Sequence, residues 1–107
     1  MNKVIISGKI LNIESFKTRQ NNFAINLILE SYSKYGDMIS CVAYGFIAES
    51  IIEKLRVSNE VLIVGRLMSI QSRETKILIT KLVIEEIGLG IFVRNDIRRD
   101  VEKSEVK

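Results

Sequence analysis

A helical repeat between two apolar strands constrains the fold of this chain more than any other feature. Apolar residues recur at helical spacing at Ala48, Ile51, Ile52 and Leu55. Charged residues take the other side of this repeat, as in a helix that covers a core with one face. Residues 38–44 before it and 61–71 after it are rich in aliphatic side chains and lack the helical repeat, which favours strands. We therefore predict a short helix between two strands.

The rest of the chain is predicted to be β-structure. Residues 3–13 and 23–32 show the two-residue alternation typical of strands, with a polar loop at 16–22 between them. A hairpin turn leads to the strand before the helix, and a charged turn at 72–75 leads to a last strand at 76–87. Five strands with one helix between the third and the fourth is the layout of the OB-fold, a small Greek-key barrel that mainly binds oligonucleotides and oligosaccharides. The predicted fold class is thus an all-β, five-stranded barrel.

The length of the chain allows a single core. At 107 residues we predict one OB-fold domain at 1–90, followed by a charged, mobile tail at 91–107. Because Cys41 is the single cysteine, no internal disulfide can form, and a reducing compartment is expected. No apolar run approaches the length of a membrane span, and the start lacks the features of a secretory signal, so no membrane partner is expected.

The last two strands carry apolar residues on both faces. In the fourth strand, for example, Val61 and Ile63 alternate with Leu62 and Val64. A barrel interior covers one face only, and soluble monomers seldom expose large apolar patches. The second face must meet the helix, another strand or another subunit, and we favour a homo-oligomer interface.

Catalysis is not expected from this composition. The chain has no histidine, which is the usual general base near neutral pH and a common metal ligand. Glu85 and Glu86 are adjacent in a strand and point to opposite faces, so they cannot act as a carboxylate pair. The glycines are isolated instead of forming a phosphate-binding motif. We predict no enzyme activity, no cofactor and no metal site.

Aromatic and basic residues instead indicate a nucleic-acid interface. Proteins that hold single strands stack bases on aromatic rings and place cations near phosphates. The predicted stacking residues are Tyr44, Tyr32 and Phe46, and the predicted phosphate contacts are Lys9, Lys17, Arg19, Lys34, Arg66, Arg73 and Lys76. The formal charge of +3 permits such a ligand without requiring it. Two alternatives stay open, because the cations could form a solvated strand surface and Tyr44 could pack with its hydroxyl at the barrel rim.

Two segments of the chain resemble the bacterial single-stranded DNA-binding protein family. They are residues 2–10, NKVIISGKI, and the block from 40 to 67, which contains SCVAYG, AE, LR and GRL. Small one-domain relatives, including primosomal replication protein and homologues encoded in cyanobacteria and plastids, are similar as well. The resemblance implies an OB-fold, usually a homotetramer, that coats single strands during replication, recombination and repair. The implied location is the cytoplasm, at the nucleoid, or the plastid stroma for a plastid-encoded protein.

The resemblance also implies roles for residues of this chain at positions that match functional positions of the family. Tyr44 falls where the family places a stacking aromatic residue, and Tyr32 lies within one residue of another. Met38 and Ser72 stand where family members often have aromatic residues. The absence of two stacking platforms implies a modest affinity for single strands.

The leading hypothesis is a non-enzymatic protein that binds single-stranded DNA without strong sequence preference. RNA could bind in the same way, because stacking on a base does not distinguish ribose from deoxyribose. The alternative is an OB-fold oligomerisation or protein-interaction module of a replication assembly, with weak or incidental nucleic-acid binding. Replacement of Tyr44 by alanine separates the two, since only the first hypothesis predicts a loss of DNA affinity.

Overall fold

A computed structural model of the protein describes residues 1–89, and the predicted C-terminal tail at 91–107 lies outside the described residues. Five strands and one helix follow one another along the chain. They are β1 (Val4–Lys17), β2 (Phe23–Ser31), β3 (Met38–Tyr44), α1 (Gly45–Lys54), β4 (Glu60–Gln71) and β5 (Leu78–Leu89). The predicted strand and helix order is confirmed.

The five strands form one closed barrel in the order β1-β2-β3-β5-β4. Neighbouring strands are antiparallel except β3 and β5, which run parallel and are joined at Cys41↔Leu82 and Val42↔Val83. Strand β1 is long enough to pair with β2 on one side and with β4 on the other, which closes the barrel. This is the OB-fold, as predicted.

The first strand extends beyond its predicted end at residue 13. Phe16 and Lys17 were placed in the following loop, but both pair with β2, at Ala24 and Phe23 respectively. The polar side chains of this segment are exposed, although its backbone remains paired with β2. The prediction of a loop here is wrong because a hydrophilic sequence does not show whether the backbone is paired. A bulge between Ile10 and Asn12 shifts the register and bends the strand from one neighbour to the other.

The core consists of inward-facing aliphatic residues from every strand, with α1 against one end of the barrel. Ala48, Ile51 and Leu55, three of the four residues in the helical repeat, are buried in this core. Ile52 is partly exposed, because it lies on the flank of the helix. The helix contributes no polar group to the buried cluster, so its role in the core is apolar cover.

The hairpin of β4 and β5 projects from the barrel as an arm (residues 67–81). Ile70 is in register with Ile79 on the face that continues the outer surface of the barrel, and both are about half exposed. Leu67 and Leu78 are exposed on the opposite face. In the arm, the apolar residues predicted on the two faces of these strands are therefore uncovered in the single chain, whereas those within the barrel, such as Val61 and Ile63, are buried.

A side chain near the start of the chain holds the base of the arm. The Asn2 amide accepts a hydrogen bond from the Leu67 backbone N–H at 2.8 Å and donates one to the Leu67 carbonyl at 2.7 Å. The side chain thus extends the contact between the start of the chain and β4 two positions beyond Val4↔Gly65. Within residues 1–89, α1 is far too short to span a membrane.

Candidate nucleic-acid interface

Three strands present a row of aromatic residues on the outer face, defined here as the side of the barrel sheet turned away from the core. Ala24 of β2 is in register with Phe16 on one side and with Tyr44 on the other. Residues in register share a face, so both rings flank the small Ala24 side chain. Tyr44 is 41% exposed and Phe16 is 37% exposed. The outer face therefore offers two accessible rings, one on each side of Ala24.

A groove of about 820 Å³ opens beside this row, at the end of the barrel where α1 begins. One wall is formed by Lys17 at the end of β1 and by the β1–β2 loop, and the other carries Tyr44 and Phe46. Phe46 is 89% exposed, although it belongs to the first turn of the helix. The loop wall contains the neutral polar residues Thr18, Gln20, Asn21 and Asn22. We call this feature the end groove.

The backbone at the end groove also has positive character. Gly45 turns the chain from β3 into α1 with a φ of +60°, a conformation that a residue without Cβ adopts at little cost. Tyr44 occupies the N-cap position without a side-chain cap hydrogen bond, and no acidic residue lies in the first turn. First-turn N–H groups of a helix carry partial positive charge, which attracts an anion, whereas the acidic side chain of Glu49, which also lines the groove, opposes one.

The centre of the outer face is covered by a polar pair. Val42 and Val83 face outward from β3 and β5 but are only 2% and 6% exposed. The Lys81 ammonium donates a hydrogen bond of 3.1 Å to the Asn26 Oδ1. Because β3 lies between β5 and β2, this bond passes over β3 beside Val42. Arg66, in register with Val83, is exposed on the same face.

The predicted site residues are distributed over several regions. Tyr44, Phe46 and Lys17 meet at the end groove, and Arg19 lies in the same β1–β2 loop. Arg66 joins the outer face. Tyr32 differs from the other predicted stacking residues, because it is half-buried and its hydroxyl oxygen is in the interior. Tyr32 is therefore less exposed than Tyr44.

The remaining predicted cations lie away from the end groove. Lys34 is in the β2–β3 hairpin, with its Nζ 5.7 Å from the centroid of the exposed Tyr35 ring. Arg73 and Lys76 are exposed in the turn at the tip of the arm. Lys9 is in register with Glu30 on one side and with Glu60 on the other, so acidic neighbours offset its charge.

Phe16 and Lys81 also lie on the outer face, although neither is among the predicted site residues. Phe16 was assigned to a loop, where its phase relative to Ala24 and Tyr44 could not be read. Lys81 lies between aliphatic residues of β5, and its meeting with Asn26 depends on the parallel contact between β3 and β5. A lysine next to the apolar run 82–84 was the available signal that this position faces outward.

Reactive and metal-binding groups are absent from the described part of the site. Cys41 is on the inward face of β3, where burial raises the pKa of its thiol from 9.0 to about 12, so it remains a neutral thiol near pH 7. Among residues 1–89, the cysteine and carboxylate side chains form no cluster able to hold a metal ion.

Solved structures of single-stranded DNA-binding proteins share this fold. The SSB domain of a protein from Synechococcus sp. matches with a TM-score of 0.68 at 18% identity, over 81% of this chain and 93% of that chain. The wild-type single-stranded DNA-binding protein from Thermus aquaticus matches with a TM-score of 0.68, and a deletion mutant of it with 0.70, each at 20% identity over 83% of this chain. This chain spans 40% of the length of the Thermus aquaticus chains. No family model and no curated protein matches the sequence.

Proposed function

We propose that this protein binds single-stranded DNA without strong sequence preference, as a small divergent member of the single-stranded DNA-binding protein family. The observation that carries the proposal is the row of exposed rings on the outer face, Phe16 and Tyr44, beside a groove that holds Phe46 and Lys17. Exposed rings next to cations are what an unpaired polynucleotide requires, because its bases stack and its phosphates need counter-charge. The proposed reaction is binding alone, without catalysis.

The geometry suggests a course for the strand. Bases stack on Tyr44 and Phe16, and the phosphates follow Lys17, Arg19 and the start of α1 at the end groove. The strand then crosses the outer face near Lys81 and Arg66, towards Arg73 and Lys76 at the tip of the arm. Glu14 of β1 is exposed beside Asn26 and repels phosphate, so the backbone keeps to the β3 and β5 side.

Titration of oligo-dT with the full chain tests this function. Tyr44→Ala should weaken binding by roughly 5- to 150-fold, which corresponds to the 1–3 kcal/mol of one stacked base. Val57→Ala, an exposed apolar residue beyond the other end of α1, serves as the matched control and should bind as the wild type does. An affinity that is unchanged in Tyr44→Ala, or no binding by the wild type at low salt, would contradict the proposal.

The cellular role proposed here is protection of single strands during replication, recombination and repair. This role rests on the sequence resemblance and on the shared fold. It places the protein with the nucleoid in the bacterial cytoplasm, or in the plastid stroma. Recovery of the protein on single-stranded DNA after replication is blocked in cells would test it, with Tyr44→Ala as the control.

We also propose that the protein self-associates, as a tetramer by analogy with the family, through the face of the arm that carries Leu67 and Leu78. The other face continues the proposed DNA surface, so this one can be covered without blocking the ligand. Native mass spectrometry of Leu78→Glu should show a smaller assembly than that of the wild type. A monomeric wild type at micromolar concentration would contradict self-association.

The alternative function is an assembly or protein-interaction module, in which nucleic acid is incidental. The exposed apolar residues on both faces of the arm favour it. Under this alternative, Leu78→Glu abolishes the activity of the protein in cells whereas Tyr44→Ala does not. The proposed DNA-binding function predicts a clear loss with Tyr44→Ala.

A further inference from the structure

We propose that Asn26 and Lys81 form a base-reading site on the outer face, which favours bases that present a carbonyl oxygen over adenine. The inference rests on the proposed function, because it requires a single strand on this face. It adds a modest chemical preference to a surface that otherwise holds bases by stacking.

The hydrogen bond between the two side chains fixes the orientation of the Asn26 amide. An ammonium group can only donate, so the atom 3.1 Å from Lys81 Nζ must be the amide oxygen. The amide nitrogen then keeps two donor hydrogens. Within residues 1–89, this nitrogen has no hydrogen-bond partner. Lys81 also retains donor hydrogens, so the pair offers mainly donors, and one of the two lone pairs of the amide oxygen is already engaged.

The pair is held in place by its surroundings. Asn26 and Lys81 are both half-buried, and beneath them lie the covered side chains of Val42 and Val83. A lysine that lies along an apolar surface and ends on a fixed acceptor has fewer conformations than one in solvent. The donors therefore have a defined position before any ligand arrives, which is what selective recognition needs.

The site lies within reach of a base stacked on Tyr44. Tyr44 is in register with Ala24, and Asn26 follows Ala24 by two residues on the same face. Diagonal neighbours of this kind in an antiparallel pair are about 7–8 Å apart, which is close to the span of a base. A base on the Tyr44 ring would thus direct one edge towards the Asn26 amide.

A set of donors distinguishes bases by their edges. Thymine and guanine present the carbonyl oxygens O4 and O6, which accept hydrogen bonds. Adenine has an exocyclic amine at the corresponding position, and an amine facing the Asn26 nitrogen leaves donors opposed to one another. One hydrogen bond between uncharged groups contributes about 1 kcal/mol net, which is equivalent to roughly a fivefold difference in affinity.

Short oligonucleotides of deoxyadenosine and deoxyinosine provide the test, because hypoxanthine differs from adenine by a carbonyl in place of the exocyclic amine. The full-length wild type should bind the inosine oligonucleotide roughly fivefold more tightly. In Asn26→Ala this ratio should fall to about one, mainly through weaker inosine binding. Asn12→Ala is the matched control and should keep the wild-type ratio, because Asn12 is an exposed asparagine on β1 whose amide nitrogen donates a long hydrogen bond of 3.4 Å to Glu14.

A second variant tests the proposal even if Asn26→Ala fails to fold. Lys81→Met retains the apolar cover over Val83 but removes the ammonium that orients the amide, so the inosine preference should fall here too. Equal binding of the two oligonucleotides by the wild type would overturn the base-reading site, as would an equal loss for both in Asn26→Ala with the ratio preserved. In both cases the proposed single-strand binding would stand. No binding of either oligonucleotide would overturn both proposals.

Discussion

At the scale of single residues, two glycines determine how closely the strands of this barrel approach one another. A Cβ on Gly65 would lie 2.1 Å from the Val83 carbonyl oxygen, and one on Gly8 would lie 2.3 Å from the Glu30 carbonyl oxygen. Both obstacles are backbone atoms of a neighbouring strand, which cannot move without opening the ladder. Gly65 also lies opposite a bulge in β5, where Glu85 has no register partner between Val64↔Glu86 and Gly65↔Ile84. The sequence shows these glycines as isolated residues, and the neighbouring carbonyls become visible only in the closed barrel.

Gly65→Ala should therefore destabilise the protein by about 1–3 kcal/mol or more, the cost of overpacking a closed interior. Urea unfolding of the wild type and the variant measures this difference. Gly88→Ala provides the control, because no atom lies within 4 Å of the added Cβ in an exposed part of β5. The control should be neutral or slightly stabilising. Equal effects of the two substitutions would contradict the close-approach explanation.

The buried Cys41 thiol predicts a pH dependence of stability. Burial raises its pKa from 9.0 to about 12, so between these values the unfolded chain releases the proton while the folded chain keeps it. The contribution of this group is complete below pH 9.0 and is lost as the pH rises towards 12. Urea unfolding from pH 8 to 10.5 should show a steeper fall in the free energy of unfolding for the wild type than for Cys41→Ala, by at most about 1.4 kcal/mol per pH unit. Identical slopes would mean that the thiol titrates alike in both states.

At the scale of elements, β1 and the arm show what local sequence does and does not determine. The alternation in β2 and the helical repeat in α1 predicted those elements, because each pattern reports which face is buried. In the last part of β1, the side chains are exposed and mostly polar, so the sequence gives no sign that the backbone is still paired with β2. Because this segment was predicted to be a loop, the face on which Phe16 lies could not be assigned from the sequence. The boundary of one strand thus decided how much of the aromatic row could be predicted.

The base of the arm should depend on Asn2. Asn2→Ala removes both hydrogen bonds to the Leu67 backbone, at a cost of about 1–2 kcal/mol. Amide hydrogen exchange should accelerate at Leu67 and along the arm while the core strands keep their protection. Asn12→Ala, which removes one long hydrogen bond on the exposed side of β1, should leave exchange in the arm unchanged. Faster exchange throughout the barrel would instead indicate global destabilisation.

At the scale of the whole molecule, the fold was predictable, whereas the meeting of distant residues was not. Tyr44 and Phe46 could be located because they lie at the junction of β3 and α1, which the sequence marks clearly. Asn26 and Lys81 are separated by 55 positions, and they meet only because β5 pairs with β3 across the chain topology. A pairing between strands distant in sequence leaves no local pattern to read.

The distribution of charge predicts how salt affects binding. The whole chain has a formal charge of only +3, so the affinity should depend on a few cations near the ligand and not on a general positive field. Lys17→Ala should lower the slope of log K against log salt by about 0.7, the value for one phosphate contact on a single strand. Lys54→Ala removes the same charge at the other end of α1 and should leave the slope unchanged. Equal slopes for all three proteins would remove Lys17 from the interface.

The junction of β3 and β5 has a consequence for the lifetime of the protein. Only two register pairs join these strands in residues 1–89, fewer than at any other junction of the barrel. Opening at this junction would give a protease its first access to the interior, and the proposed ligand lies directly over it. A polynucleotide that holds both sides together would delay opening, because a ligand stabilises only the state that it binds. DNA-bound molecules would then be degraded more slowly than unbound ones, and the amount of unpaired DNA would itself regulate the abundance of the protein.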